Sequence, residues 1–253
     1  MNVLDSFRLD DRVVVLTGAS AGLGAGFAQA LAEVGADLVL VARRAAPLEE
    51  LSEKLRTGGS RVLTVSADVS DPEACRRVAE QTVAAFGRID VLVNNAGIGS
   101  ATPATRESVE RFNDVLAVNL GGCMWMAQAC QPQMPAGSAI VNVASVLAHI
   151  GPRWPNSAYA ASKAGVLGLT RDLAHEWSAR YGIRVNVLCP GYFASEMTAE
   201  GAHLIEDMLA THSILPRMGT QAELDAALLF LASPASSYVT GTSLVVDGGL
   251  SAL

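Results

Sequence analysis

The sequence predicts an α/β fold, a doubly wound parallel sheet of seven strands with helices on both faces, and three observations predict it. Seven short runs rich in β-branched residues recur at 13–18, 36–43, 61–68, 89–97, 138–145, 183–191 and 243–249, with helix-like stretches between them. These runs are nearly continuously apolar where an alternating pattern would mark a half-exposed strand, so each is expected to be buried on both faces, as in a sheet built from right-handed crossovers. The chain has 253 residues, of which 50% are hydrophobic and 17% charged, and no repeat or low-complexity linker interrupts the rhythm. That length and composition suit one domain over 1–253 with a substantial core.

Each element carries its own signal. The first strand, VVVLTG, runs into Thr17-Gly18-Ala19-Ser20-Ala21-Gly22-Leu23-Gly24, a GxxxGxG turn before the first helix. Glycines there let backbone approach a pyrophosphate, and the positive end of the helix favours its charge. A tight turn with no ligand is the plainer reading of that loop alone. The second strand ends in Val41-Ala42-Arg43-Arg44 and the third in Asp68-Val69, where a carboxylate either accepts from an adenine amino group or simply caps the next helix. Asn94-Asn95-Ala96-Gly97 closes the fourth strand; its small residues leave room for a ribose, although such a string also makes ordinary turns. The fifth strand ends at Ser145, a donor or acceptor for a substrate oxygen. Next comes a helix in NSAYAASKAGVLGLT, where Tyr159 and Lys163 stand four apart on one face. An ammonium beside a phenol favours the phenolate, so Lys163 is expected to lower the Tyr159 pKa into a range useful for proton transfer. Asn119 in AVNLGG could anchor a water behind that lysine. The sixth strand ends in Pro190-Gly191, and the irregular stretch 192–217 after it lies where a substrate lid belongs, beyond the carboxyl ends of the strands.

Charge and composition exclude other classes. Eighteen basic against 25 acidic residues give −7, which disfavours nucleic acid and anionic membranes as partners. The start MNVLDSFRLDD lacks a secretion signal's apolar run, and no stretch approaches the ~20 apolar residues of a membrane span, so a soluble cytoplasmic protein is expected. Cys75, Cys123, Cys130 and Cys189 form no CxxC pair and are read as buried reduced thiols. The four histidines show no metal-ligand spacing, so no metal is expected.

Taken in order, TGASAGLG, NNAG, Asn119, Ser145, YAASK, Pro190-Gly191 and the closing VTGTSLVVDGG resemble the roughly 250-residue branch of the short-chain dehydrogenase/reductase family, from about residue 10 to the last strand. The resemblance implies a Rossmann-like sheet, an NAD(P)-dependent oxidoreductase acting on a carbonyl or secondary alcohol, and a homotetramer assembled through 105–131, 157–181 and the last strand. It implies that Asn119, Ser145, Tyr159 and Lys163 form the catalytic tetrad: Ser145 orients the oxygen, Tyr159 moves the proton, Lys163 holds the nicotinamide ribose, and Asn119 extends a proton relay. It further implies cofactor contacts at Gly18, Ser20, Ala21, Gly22, Leu23, Gly24, Arg43, Asp68, Val69, Asn95, Ala96, Gly97, Pro190 and Gly191. In the loop beyond, Phe193, Ser195 and Thr198 match positions that touch the nicotinamide and phosphates.

Ala42 offers no carboxylate to the adenosine ribose, and Arg43 offers a permanent planar cation to a 2′-phosphate. NADP(H) is therefore expected to be preferred. Ala21 withholds the second cation seen in many NADP-using relatives, so NAD(H) should remain usable. By proximity to Ser145, Tyr159 and the lid, a medium-sized, mostly apolar substrate would be lined by Val146, Leu147, Ile150, Trp154, Tyr192, Phe193 and Met197. A 3-oxoacyl-thioester reductase is the alternative, but 131–137 carries no Lys or Arg to dock an acidic carrier. A non-catalytic nucleotide sensor would have no need of all four tetrad positions together.

Overall fold

A computed structural model of the protein describes residues 2–99, 101–151, 153–194 and 202–252. All seven expected strands form: β1 (Val13–Thr17), β2 (Asp37–Ala42), β3 (Val62–Ser66), β4 (Val91–Asn94), β5 (Ala139–Val143), β6 (Arg184–Pro190) and β7 (Ser243–Val246). They make a single sheet in the order β3-β2-β1-β4-β5-β6-β7, and every pairing is parallel. The chain winds outward from β1 through β2 to β3, then returns to lay β4 on the other side of β1. Helices diverge on either side of that reversal, so a crevice opens above the carboxyl ends of β1 and β4.

Alternate residues of each strand feed two cores. Leu16, Leu40 and Val93 pack with Phe27 and Leu31 of α1 (Gly22–Glu33), Leu48 of α2 (Ala45–Thr57) and Leu224, Leu228 and Leu231 of a late helix, Gln221–Ala232. On the opposite face Val15, Val39, Leu92 and Ile140 pack with α3 (Pro72–Phe86), α5 (Gly122–Cys130) and Trp177 of α6 (Ser157–Tyr181). Burial on both faces is why the strands read as unbroken apolar runs.

Helix ends follow from their residues. Asp71 caps α3 by accepting from Glu73 N–H, with Pro72 at its first turn and Gly87 at φ 81° closing it. The helical stretch 105–131 divides into α4 (Val109–Leu116), a π-helical turn Ala117–Gly121, and α5. Val69 explains Gly122 at the start of α5: a Cβ there would lie 2.6 Å from Val69 Cγ2. Beyond β6, Phe193 makes a parallel bridge to Gly219, and between them lies α7 (Ala202–His212); Gln221–Ala232 is α8. All four cysteines are buried and unpaired. Among the described residues no helix is long and apolar enough to cross a membrane.

Candidate active site

A cleft of about 890 Å³ lies above the carboxyl ends of β1, β2, β4, β5 and β6. The glycine-rich turn forms one wall. Gly18 adopts φ 68°, and a Cβ on it would stand 2.8 Å from Ala96 Cα, so only glycine permits this approach of the β1 and β4 ends. Two residues hold the ends together: Asn95 Nδ2 donates to Thr17 O at 3.1 Å and Gly18 O at 3.2 Å, while Asn95 N–H and Ala96 N–H donate to Thr17 Oγ1 at 3.0 Å. The Asn-Asn-Ala-Gly string is thus both a wall of the cleft and the clamp on the glycine turn. Ala21 is the N-cap of α1 and makes no side-chain capping bond, so the first amides of that helix face the cleft without an internal acceptor. An anionic pyrophosphate fits this arrangement of donors and helix dipole.

The adenosine end of the cleft is charged and open. Arg43, 64% exposed, stands 3.9 Å from Asp68. Asp68 accepts from Ser70 N–H at 2.9 Å and Ser70 Oγ at 2.7 Å, an Asx turn that starts the approach to α3. Partial burial opposes its ionisation, yet the Ser70 hydrogen bonds and Arg43 hold its pKa below the usual carboxylate value. Arg44, the N-cap of α2, also lines the cleft and reaches across to Ser20 Oγ at 3.4 Å.

The opposite end is closed and tightly bonded. Tyr159 and Lys163 both face the cleft from one side of α6, as their spacing requires. Lys163 is 4% exposed, and its Nζ donates to Val143 O at 2.7 Å. Ser145 lines the cleft together with Tyr159, and its hydroxyl accepts from Leu147 N–H at 3.1 Å. Asn119 lies beneath the cleft and does not line it. Its Oδ1 accepts from Ile98 N–H at 2.8 Å, and its Nδ2 donates to Ile98 O at 3.0 Å and Ser162 Oγ at 3.0 Å. The π-helical turn presents Asn119 in this direction, a common use of such irregularities. Gly97 keeps the floor low: a Cβ there would be 3.3 Å from Asn119 Oδ1 and 3.5 Å from Lys163 Nζ.

The expected depression of the Tyr159 pKa is not what this geometry produces. Burial pushes the phenol up from its ordinary value, and the polar Ser145 side chain offsets only part of that. Burial likewise pushes Lys163 down, and its Nζ is directed at a backbone carbonyl with the Tyr159 ring centroid 5.7 Å away. Desolvation therefore sets the direction of both shifts here.

Comparison with known proteins gives a concordant result. Residues 18–251 match a family described as Enoyl-(Acyl carrier protein) reductase. A crystal structure of a short-chain type dehydrogenase/reductase from Mycobacterium marinum is 34% identical, covers 98% of this chain and 99% of its own, and superposes with a TM-score of 0.93. The chain belongs to the short-chain dehydrogenase/reductase family. These are NAD(P)-dependent oxidoreductases acting on CH–OH and C=O groups. Another relative, a galactitol 2-dehydrogenase (L-tagatose-forming) from Cereibacter sphaeroides, is 42% identical over 96% of each chain. A gluconate 5-dehydrogenase from Burkholderia cenocepacia, solved in complex with NADP and tartrate, is 36% identical over 100% of both chains, with a TM-score of 0.94.

In this short-chain dehydrogenase/reductase the expected contacts Gly18, Ser20, Ala21, Gly22, Leu23, Gly24, Arg43, Asp68, Val69, Asn95, Ala96, Gly97, Tyr159, Lys163, Pro190, Gly191 and Phe193 all line the cleft. Ser195, Met197 and Thr198 lie outside the described residues. Val146, Leu147, Trp154 and Tyr192 line the end beside Ser145, but Ile150 does not: it packs into the apolar cluster of Val146, Ile205, Met208, Leu209 and Leu250. Phe193 is only 5% exposed, because its ring lies against Gly219 and the core as well as the cleft. Sequence reasoning did not single out Arg44, Asn156, Leu204 or Ile205, which also line the dehydrogenase cleft. Asn156 immediately precedes α6 and could have been read as nothing more than its cap; Leu204 and Ile205 follow from α7, whose helical period the lid sequence does contain.

Proposed function

We propose that this enzyme interconverts a secondary alcohol and a ketone of medium size and neutral charge, with NADP(H) preferred and NAD(H) usable, through Tyr159, Lys163, Ser145 and Asn119. The observation that carries the reading is the convergence of Tyr159 and Lys163 of α6 with Ser145, just beyond β5, at the closed end of a glycine-walled cleft. When bound, the nicotinamide supplies or accepts the hydride. Ser145 positions the substrate oxygen beside the Tyr159 hydroxyl. In reduction Tyr159 gives its proton to that oxygen as negative charge develops; in oxidation it removes the proton. Its raised pKa keeps the phenol protonated at neutral pH, the form reduction needs. Lys163, with one N–H committed to Val143 O, has two further donors for a ribose hydroxyl and the phenol oxygen. Asn119 acts by holding Ile98 and the start of α6 in register, which fixes the floor on which both groups stand.

Ala42, Arg43 and Arg44 support NADP(H): no carboxylate repels a 2′-phosphate, and two guanidinium groups stand at that end of the cleft. Asp68 shares Arg43, which tempers the preference. We further read 192–217, including α7, as a substrate lid on a single catalytic domain spanning 1–253. We also read the assembly as a homotetramer, supported by apolar groups left in solvent on the proposed contact segments, Val109 on α4 at 71% exposure among them. Four buried free thiols suit a reducing, cytoplasmic setting. A carrier-bound thioester is the less favoured substrate, because 131–137 offers no cation to an acidic carrier. The deciding experiment is a panel of ketones and secondary alcohols followed at the nicotinamide absorbance with each cofactor. Hydride transfer with NADPH exceeding that with NADH in kcat/KM is expected. No transfer to any member, or a preference for NADH, would contradict the reading.

A further inference from the structure

Two polar side chains at the substrate end of the cleft leave hydrogen-bonding capacity unused among the described residues. Asn156 occupies the N-cap of α6, a position where an Asn side chain normally accepts from the second or third amide of the helix; here it makes no such bond. Its backbone is at φ −153°, ψ 35°, its Nδ2 makes one long bond of 3.4 Å to Trp154 O, and its Oδ1 has no partner among the described residues. Asn156 lines the same cleft as Tyr159. Tyr192, on the far side of Ser145, is held edge-on to Trp154 at 6.3 Å and 84°. Its hydroxyl also makes no hydrogen bond among the described residues, although its ring lines the same space. Both side chains are half-buried and keep polar atoms open to solvent, so they are available to pair with a ligand in the cleft.

Charge at this end is equally informative. The cations that line the cleft are Arg43 and Arg44, at the adenosine end, and Lys163, which is bonded to Val143 O. No other Lys, Arg or His among the described residues lines it. Arg111 at the rim is committed to Gly99 O, and Arg217 is paired with Glu223 at 2.7 Å. Among the described residues, a carboxylate on the substrate would therefore meet no free cation at this end, an unfavourable placement for a charge leaving water.

We infer that Asn156 and Tyr192 form a second-oxygen subsite, and that the preferred substrate is an uncharged vicinal diol or α-hydroxyketone, whose reacting oxygen meets Ser145 and Tyr159 while its neighbouring hydroxyl meets Asn156 and Tyr192. The inference rests on the proposed function. Burial and the nearby Tyr159 both push the Tyr192 phenol up, so it meets the substrate as a neutral donor.

Three alcohols with one ring body test it: cyclohexanol, cyclohexane-1,2-diol and 2-hydroxycyclohexanecarboxylate, each oxidised with NADP⁺ and with NAD⁺. Two neutral hydrogen bonds predict a diol-to-cyclohexanol ratio of kcat/KM of about 10 or more, with the carboxylate poorest. Tyr192→Phe and Asn156→Ala should each pull the diol-to-cyclohexanol ratio toward one, and a ratio is unaffected by a general loss of activity. A ratio near one in the unaltered enzyme, a ratio unmoved by both substitutions, or a carboxylate oxidised as well as the diol overturns the subsite. No oxidation of any of the three overturns the proposed dehydrogenase activity itself, and the subsite with it.

Discussion

Lys163 is 4% exposed and bonded to Val143 O at 2.7 Å, whereas Arg43, in the same cleft, is 64% exposed and meets Asp68 at 3.9 Å. Both are cations expected to face the cofactor. One is immobilised by burial and by its bond to a strand carbonyl; the other is an exposed partner in a loose pair. The contrast teaches which properties are easily altered. On the proposed reading, proton transfer rests on buried groups embedded in the packing. Cofactor choice rests on surface charges that contribute little to stability and can be exchanged without disturbing the sheet.

Sequential substitution separates the two ends. The largest effect is expected from Tyr159→Phe, which removes the transferring oxygen and should lower kcat by about 10² to 10⁴ while nucleotide binding, read by quenching of intrinsic fluorescence, persists. Retention of activity within a few-fold would show that chemistry does not reside at the buried end. The same group sets the pH response. Because burial raises the Tyr159 pKa, alcohol oxidation, which needs the phenolate, should rise in kcat/KM as pH increases into the alkaline range. Ketone reduction, which needs the phenol, should hold level until that range and then fall. An oxidation rate independent of pH from about 6 to 10 would contradict the shift.

Asn119→Ala should follow in size. It leaves Ile98 N–H and Ile98 O without this partner and removes the bond that Ser162 Oγ accepts, while Ser162 keeps its bond to Tyr159 O. The expected cost is about 2 to 4 kcal/mol, a fall in Tm of roughly 5 to 15 °C by calorimetry, together with reduced turnover. An unchanged Tm would mean the network is dispensable. Next comes Arg43→Ala, expected to reduce the NADP-to-NAD ratio of kcat/KM by about 10- to 150-fold, with Arg44 retaining part of the preference and Ala42→Asp reversing it. If Arg43→Ala harms both cofactors equally, the open end is not where they are distinguished. The smallest effect is expected from Asp68→Asn, which releases Arg43 from its exposed pair and should strengthen the NADP preference by about two- to five-fold in the same assay.

Much of the sheet was legible because burial on both faces writes itself as continuous apolar runs, and Tyr159 and Lys163 were legible because a helix converts a spacing of four into a shared face. What stayed hidden depends on contacts between distant segments. Asn119 bonds Ile98, 21 residues away, through a backbone pair that any residue type would offer. Ile150 and Trp154 are both apolar and close to Ser145 in sequence, yet Ile150 turns into a packed cluster and Trp154 lines the cleft as well; composition cannot separate them. The Tyr159 pKa went the other way because pairwise proximity to an ammonium was weighed without the desolvation that only the folded environment sets.

The π-helical turn Ala117–Gly121 has a consequence for any attempt to regularise this protein. It amounts to one surplus residue inside what otherwise reads as a single long helix. Deleting a residue there would restore ideal winding and leave the flanking helices nearly in register, because one wide turn takes up about one extra residue. Met126 and Cys130 would keep the core face that α5 presents to the sheet, whereas Asn119 would lose the wide turn that directs it at Ile98. An idealising redesign would thus preserve the packing of the sheet and lose a contact beneath the cleft. A deletion at this turn should be tolerated far better by the core than by the cleft above it.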